Sequence, residues 1–254
     1  MLIVLSPAKK LDFETAVCTE KFTVPKRLDR SEQLINKLQR ISKKQIRELM
    51  DLSNNLAELN IERYKSWNSN FSPDQAKQAL LAFKGDVYQG MENETLTADD
   101  LNFSQEHLRI LSGLHGLLRP LDLIKPYRLE MGTKLSVGGK KNLYQFWGSS
   151  VAEDINSQLQ KVGSNVLLNL ASNEYFKVID LKVFNGRIIT PVFKDMKNGQ
   201  LKVRFLYAKQ ARGMMTSYIL RNRIVEPEEL KSFTGGGYRF TQDLSDTDTW
   251  VFTR

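Results

Sequence analysis

RIITPVFKDMKNGQLKVRFLY, residues 187–207, sets two apolar, β-branched arms on either side of Lys197-Asn198-Gly199, and a helical pattern from Ala208 to Val225 follows directly. Asn-Gly accepts the positive φ angles of a two-residue hairpin turn, so the stretch predicts an antiparallel pair, Arg187–Phe193 against Leu201–Tyr207. Alternation in the second arm sends Leu201, Val203, Phe205 and Tyr207 to one face and leaves Lys202 and Arg204 on the wet one. Pro227 stops the helix. A strand pair running into a helix points to a mixed α/β chain, and the rest of the sequence repeats that mixture.

Working outward, Leu2-Ile3-Val4-Leu5 reads as a buried strand ended by Ser6-Pro7, and Asn165–Leu170 as another. Ser42 with Gln45, and Ser72 with Pro73 and Gln75, have the form of N-caps and predict helices over 43–52 and 73–82. Thr97 with Asp100 predicts a third, running to about Ser112, where Gly113 supplies the stop. Leu143–Lys161 is helical by length and period. Short β-like pieces around Tyr238–Phe240 and Trp250–Phe252 follow Gly235-Gly236-Gly237. No repeat, low-complexity tract or linker divides the chain, which predicts one α/β (mixed α+β) domain over 1–254, a mixed sheet surrounded by helices.

The bulk numbers agree with a globular domain. The chain has 254 residues, 41% hydrophobic and 26% charged, enough for one sizeable core and incompatible with global disorder. A single cysteine, Cys18, excludes an internal disulfide and points to a reducing compartment. The five apolar residues at the start are too few for a signal peptide, and no later run reaches ~18, so a cytoplasmic protein off the membrane is expected.

Lys and Arg number 37 against 29 Asp and Glu. Charge of this sign serves solubility unless it is concentrated, and here it is. No acidic residue stands between Asp195 and Glu226, where Lys197, Lys202, Arg204, Lys209, Arg212, Arg221 and Arg223 fall. On a hairpin and the helix after it, such residues can share a face that holds a phosphate backbone; a solvated face balanced from elsewhere is the plainer reading. A second basic stretch, His107–Arg128, carries Arg109, Arg119, Lys125 and Arg128 against Asp122 alone. A helix ending at Gly113, a Gly-Leu-His-Gly turn and a turn begun by Pro120 would form a helix-hairpin-helix-like element with amides open to phosphate. A tight connection using Gly and Pro for geometry explains the same residues. Ser42–Trp67, with Lys43, Lys44 and Arg47 before the turn at Leu52–Leu56, is a weaker place for such a pair.

Three loops carry groups suited to a pocket. Ser6, Lys9 and Lys10 leave the first strand, Lys84-Gly85-Asp86 adds a cation and a carboxylate, and Asn173-Glu174-Tyr175 follows a strand end. Converged, they would support an enzyme acting on a phosphorylated small molecule or a nucleobase; separately, they serve as caps and turns. The Gly-rich span of a P-loop is missing, and so is a Gly-x-Ser-x-Gly elbow. His107 and His115 with one cysteine do not make a zinc site, so no metal and no cofactor is expected.

SPAKKLDF (6–13), AFKGDVYQG (82–90), LRILSGLHGLLRPLDLIKPYRLEMGTKL (108–135), LYQFWG (143–148), LNLASNEYFK (168–177) and AKQARGMM (208–215) together resemble the bacterial YaaA family over nearly the whole chain. The resemblance implies a cytoplasmic protein that helps cells withstand hydrogen peroxide by limiting free iron. It also implies double-stranded DNA binding, and an unusual α/β fold with a positively charged cleft and a helix-hairpin-helix-like element. The expectation is therefore a monomer that grips duplex or branched DNA by phosphate contacts. An iron-handling role would need carboxylates gathered into a ligand set.

Overall fold

Leu2–Leu5 forms strand β1, and all four side chains are wholly buried. A run apolar on both faces belongs in the middle of a covered parallel sheet, and it lies there. The computed structural model describes Met1–Arg254. After β1 come β2 (Lys10–Leu11), α1 (Leu28–Leu38), α2 (Lys43–Met50), α3 (Asn54–Ser66), β3 (Lys77–Gln78), α4 (Ala79–Ala82), β4 (Phe83–Lys84), α5 (Asp86–Met91) and α6 (Ala98–His107). Next are β5 (Leu108–Ser112), β6 (Gly116–Leu118), β7 (Leu123–Ile124), α7 (Leu143–Trp147), α8 (Ser150–Lys161), β8 (Val166–Asn169) and α9 (Asn173–Phe176). The last part holds β9 (Arg187–Lys197), β10 (Gln200–Lys202), α10 (Phe205–Asn222), β11 (Arg239–Phe240) and β12 (Thr249–Thr253).

The main sheet runs β11-β12-β9-β8-β1-β5-β6, with β10 paired to β9. Its five inner strands, β12, β9, β8, β1 and β5, are parallel, and β11 and β6 close the edges antiparallel. The strand after β1 in this parallel set, β5, lies on one side of it; β8 lies on the other and is followed outward by β9. Crossovers in such sheets are right-handed, so the connections leaving β1 and β8 depart over opposite faces. In open α/β sheets such a reversal is where a ligand crevice forms, here at the carboxyl ends of β1 and β8. One apolar cluster from Met1 to Phe252 packs the helices onto the sheet.

Several expectations stand. Ser42 with Gln45 and Thr97 with Asp100 both form full capping boxes. Asn198 and Gly199 take φ of 51° and 74° in the hairpin turn between β9 and β10. Others are corrected. Residues 73–82 are not one helix, because Lys77-Gln78 pairs with Leu123-Ile124 and only a turn and α4 flank it. The helix from Ala98 stops at His107, since Leu108–Ser112 is taken into the sheet beside β1. Helical pattern over 143–161 breaks at Gly148-Ser149 into α7 and α8. The antiparallel pair is Asp195–Lys197 against Gln200–Lys202, not Arg187–Phe193 against Leu201–Tyr207: Arg187–Phe193 pairs in parallel with β8 and β12, and the second arm ends at Lys202 because Ala208 N–H donates to Arg204 O and α10 begins at Phe205.

The largest correction concerns His107–Arg128, which is no helix-hairpin-helix. Leu108–Ser112 and Gly116–Leu118 form an antiparallel hairpin of the main sheet. Gly113 is glycine for close approach: a Cβ there would stand 2.2 Å from Leu129 O. The weaker alternative at Ser42–Trp67 does form two packed helices, α2 and α3, turned through Asp51 in the left-handed region.

Candidate functional site at the carboxyl edge of the sheet

Ser6 leaves β1 and Ser172 follows β8, so both stand at the crevice. Ser172 N–H donates to Ser6 Oγ at 2.9 Å, and Ser6 Oγ donates to Ser172 Oγ at 3.2 Å. Tyr88, on α5, donates its hydroxyl to Ser6 O at 3.0 Å. Lys10 lies opposite Lys84 where β2 and β4 pair, and a Cβ on Gly85 would touch Ala8 Cβ at 3.2 Å. The three loops predicted as pocket-forming therefore meet.

A fourth segment, 128–132, joins them. Glu130 Oε1 accepts from Arg128 Nε at 3.0 Å and pairs with Lys9 Nζ at 3.3 Å, while Glu130 Oε2 is buried without a partner. Glu174 Oε1 accepts from Gly132 N–H at 3.0 Å, and Tyr144 donates to Glu174 O. Asn173 is exposed on the first turn of α9, and Tyr175 is buried behind it.

Tyr88, Tyr127 and Tyr175 are close enough to influence one another's ionisation, and burial pushes all three hydroxyls above the ordinary tyrosine range. They are neutral donors, not bases. Asp12 is held below the usual carboxylate range by hydrogen bonds from Thr15, with Glu14 N–H and Lys84 adding to the effect. Neither Ser6 nor Ser172 touches a base: His115 Nδ1 contacts Ser31 Oγ, and His107 Nδ1 contacts Met1 O. A serine without a base is a weak nucleophile. What this edge offers a ligand is hydroxyls, backbone amides and ammonium groups.

The basic residues do not all stand at one end of the sheet. Lys9, Lys10, Lys84 and Arg128 stand at the carboxyl edge. The β9–β10 hairpin carries Lys202 toward the same side, because β9 runs on from Ile189, its last partner on β8, by roughly 26 Å at about 3.3 Å per residue. Arg204 and Lys209 follow at the start of α10, where Lys209 pairs with Asp86 at 3.3 Å. Arg212 lies one turn on; its Nε is buried without a partner, and burial lowers its pKa.

Five others lie away from this edge. The helix α10 descends ~27 Å over its length, which carries Arg221 to Thr95 and Arg223 to Asp100. Arg109 is 5% exposed, donates to Gln105 O and Leu108 O, and is pushed down to about 10 by desolvation. Arg119, level with it across the β5–β6 pair, bridges Asp122. Lys125 is buried against Asn68, its ammonium 5.2 Å from the Phe71 ring.

Sequence reasoning passed over Ser172, Glu130, Tyr88 and Tyr127. Ser172 had a readable signal, being a hydroxyl directly after a strand, as Ser6 is. No three His, Cys, Asp or Glu side chains stand together as a metal-ligand set. No helix is long and apolar enough to cross a membrane.

The segments that build this edge fall within five of the six on which the YaaA resemblance rested, 6–13, 82–90, 108–135, 168–177 and 208–215; the sixth is 143–148. A comparison with protein families matches residues 1–244 to the family described as peroxide stress protein YaaA. With the match covering almost the full length, the chain belongs to the family of the peroxide stress protein YaaA.

Proposed function

We propose that the chain serves the peroxide stress response by gripping duplex or branched DNA through phosphate contacts along the carboxyl edge of its sheet. In this reading it helps to limit the iron-driven damage that the resemblance implies. What supports it is that Lys9 and Lys10, Lys84, Arg128 and Lys209 come from four separate segments linked to one another by strand pairing and ion pairs, with Lys202 on the hairpin that runs on beyond them. Phosphates exchange with the carboxylates at Glu130, Asp12 and Asp86, so the ion pairs keep the ammonium groups placed without neutralising Lys10, Lys202 or Arg212. Phosphate contacts position a protein without reading bases.

Fluorescence anisotropy with a labelled duplex tests this. If about six phosphates are neutralised, affinity falls roughly a thousandfold between about 50 and about 200 mM salt. Lys84→Glu and Lys209→Glu weaken binding to all sequences alike. Lys161→Glu, at the end of α8 and the opposite edge, does not. A flat salt response, or equal loss in all three variants, refutes the reading.

The Ser6–Ser172 crevice supports a second reading, an enzyme acting on a phosphorylated small molecule or nucleobase, because open α/β sheets bind ligands at this position. Isothermal titration of nucleoside phosphates against wild type and Ser6→Ala tests it; absence of heat with the wild type removes it.

A further inference from the structure

Phe205, the first residue of α10, is 84% exposed, and Met196, Val203 and Leu206 beside it in the hairpin and helix are 46–56% exposed. Single exposed apolar residues are ordinary, whereas a cluster with an aromatic at its tip marks a contact surface. Met196 lies opposite Leu201 in the β9–β10 register, which gathers the group at the hairpin–helix junction.

The surroundings are cationic. Lys197, Lys202 and Arg204 lie in the stretch without acidic residues, and Asp195, the nearest carboxylate in sequence, is buried and occupied by Tyr238 Oη and Arg254 Nε. The Arg204 guanidinium lies 5.7 Å from the Tyr207 ring centre, with Arg254 4.9 Å from the same ring. A second copy of the chain meeting this patch about a twofold axis would bring like charges face to face. The fitting occupant is a polyanion that also offers flat apolar faces. Paired duplex hides those faces, and unpaired bases present them.

We infer that Phe205 and Leu206 form a stacking wedge for unpaired bases, with Lys197, Lys202 and Arg204 on the flanking phosphates. The inference rests on the DNA reading above and names the nucleic-acid state that this surface selects. Wedges of this kind insert between base steps and gain a stacked face for each base they hold.

The test measures anisotropy of the full chain with three labelled probes at one salt concentration: a short oligothymidylate, a paired duplex, and the same duplex with a central unpaired bubble. Phe205→Ala loses about tenfold or more on the oligothymidylate and the bubble, in line with the stacking of one base, and keeps its duplex affinity. Phe205→Trp retains binding to all three. Because the side chain is exposed, both variants melt with the wild type, which circular dichroism checks. Equal loss on duplex and bubble, or no loss on either, overturns the wedge while leaving the phosphate reading intact. A wild type that binds no probe overturns both. A dimer in sedimentation, or binding to anionic phosphatidylserine vesicles, abolished by Phe205→Ala with nucleic-acid affinities unchanged, assigns the patch elsewhere.

Discussion

Gly213→Ala tests the seam between α10 and α5 on which the placement of Lys209 depends. At position 213 a Cβ would stand 1.8 Å from Val87 O and 2.6 Å from Met91 N, and on the facing helix a Cβ at Gly90 would stand 2.2 Å from Gln210 O. All of these obstacles are backbone, so no side-chain rotation relieves them, and the helices must part by more than an ångström. On an exposed helix the same substitution would stabilise by about 1 kcal/mol. Overpacking of this kind costs about 1–3 kcal/mol or more, and parting the helices also loosens the buried contacts along α10. The expected net loss is roughly 2 kcal/mol, a fall of about 4–8 °C in Tm for a chain of this size. Thermal and urea unfolding followed by circular dichroism measure it. Gly90→Ala behaves alike, and the double variant falls short of the sum because both relieve one contact. A Gly213→Ala protein as stable as the wild type would refute the close crossing, and with it the fixed position of Lys209 against Asp86.

Burial pushes the His115 imidazole down to about 3, whereas in the unfolded chain it protonates near about 6.5. The unfolded state then binds the extra proton between those values, so this group's contribution to stability is intact above about pH 6.5. It is lost on acidification by up to about 1.4 kcal/mol per pH unit. NMR titration of the ring carbons checks it: His115 shifts stay fixed from about pH 8 to about pH 5. Ser6→Ala leaves Ser172 N–H without its acceptor and costs about 1–3 kcal/mol in urea unfolding, while Ser172→Ala, which keeps that N–H paired, costs less. Arg109→Met removes donors to Gln105 O and Leu108 O and lowers Tm, with duplex affinity of the folded protein unchanged; a stable variant defective only in binding would contradict its burial.

What could be read from sequence was local. Leu2–Leu5, both capping boxes and the Asn198-Gly199 turn announce themselves through few residues and strong stereochemistry. Leu108–Ser112 did not, because a short apolar run is buried equally well in a helix or a strand, and a helix cap at Thr97 said nothing of where the helix would end. Gly113 looked like a helix stop; its true reason, the carbonyl of Leu129, lies on a distant segment. For the site, residue types were legible and distances were not. Ser6 and Ser172 are far apart in sequence, and only the order of the strands makes them neighbours. Likewise the 197–223 run reads as one surface until the descent of α10 separates Lys209 from Arg223.

The central position of β1 has a consequence for biosynthesis. Ile3 pairs with Leu108 on one side and Leu168 on the other. At a translation rate of about 5–20 residues per second, the second of these partners leaves the ribosome roughly 8–30 s after Ile3 does. Until Leu108 follows, a wholly apolar segment trails in the nascent chain with neither edge bonded, and until Leu168 follows one edge stays open, a natural client for a holding chaperone. A strand bonded on both edges in the finished sheet thus waits for both of its neighbours while the chain is made.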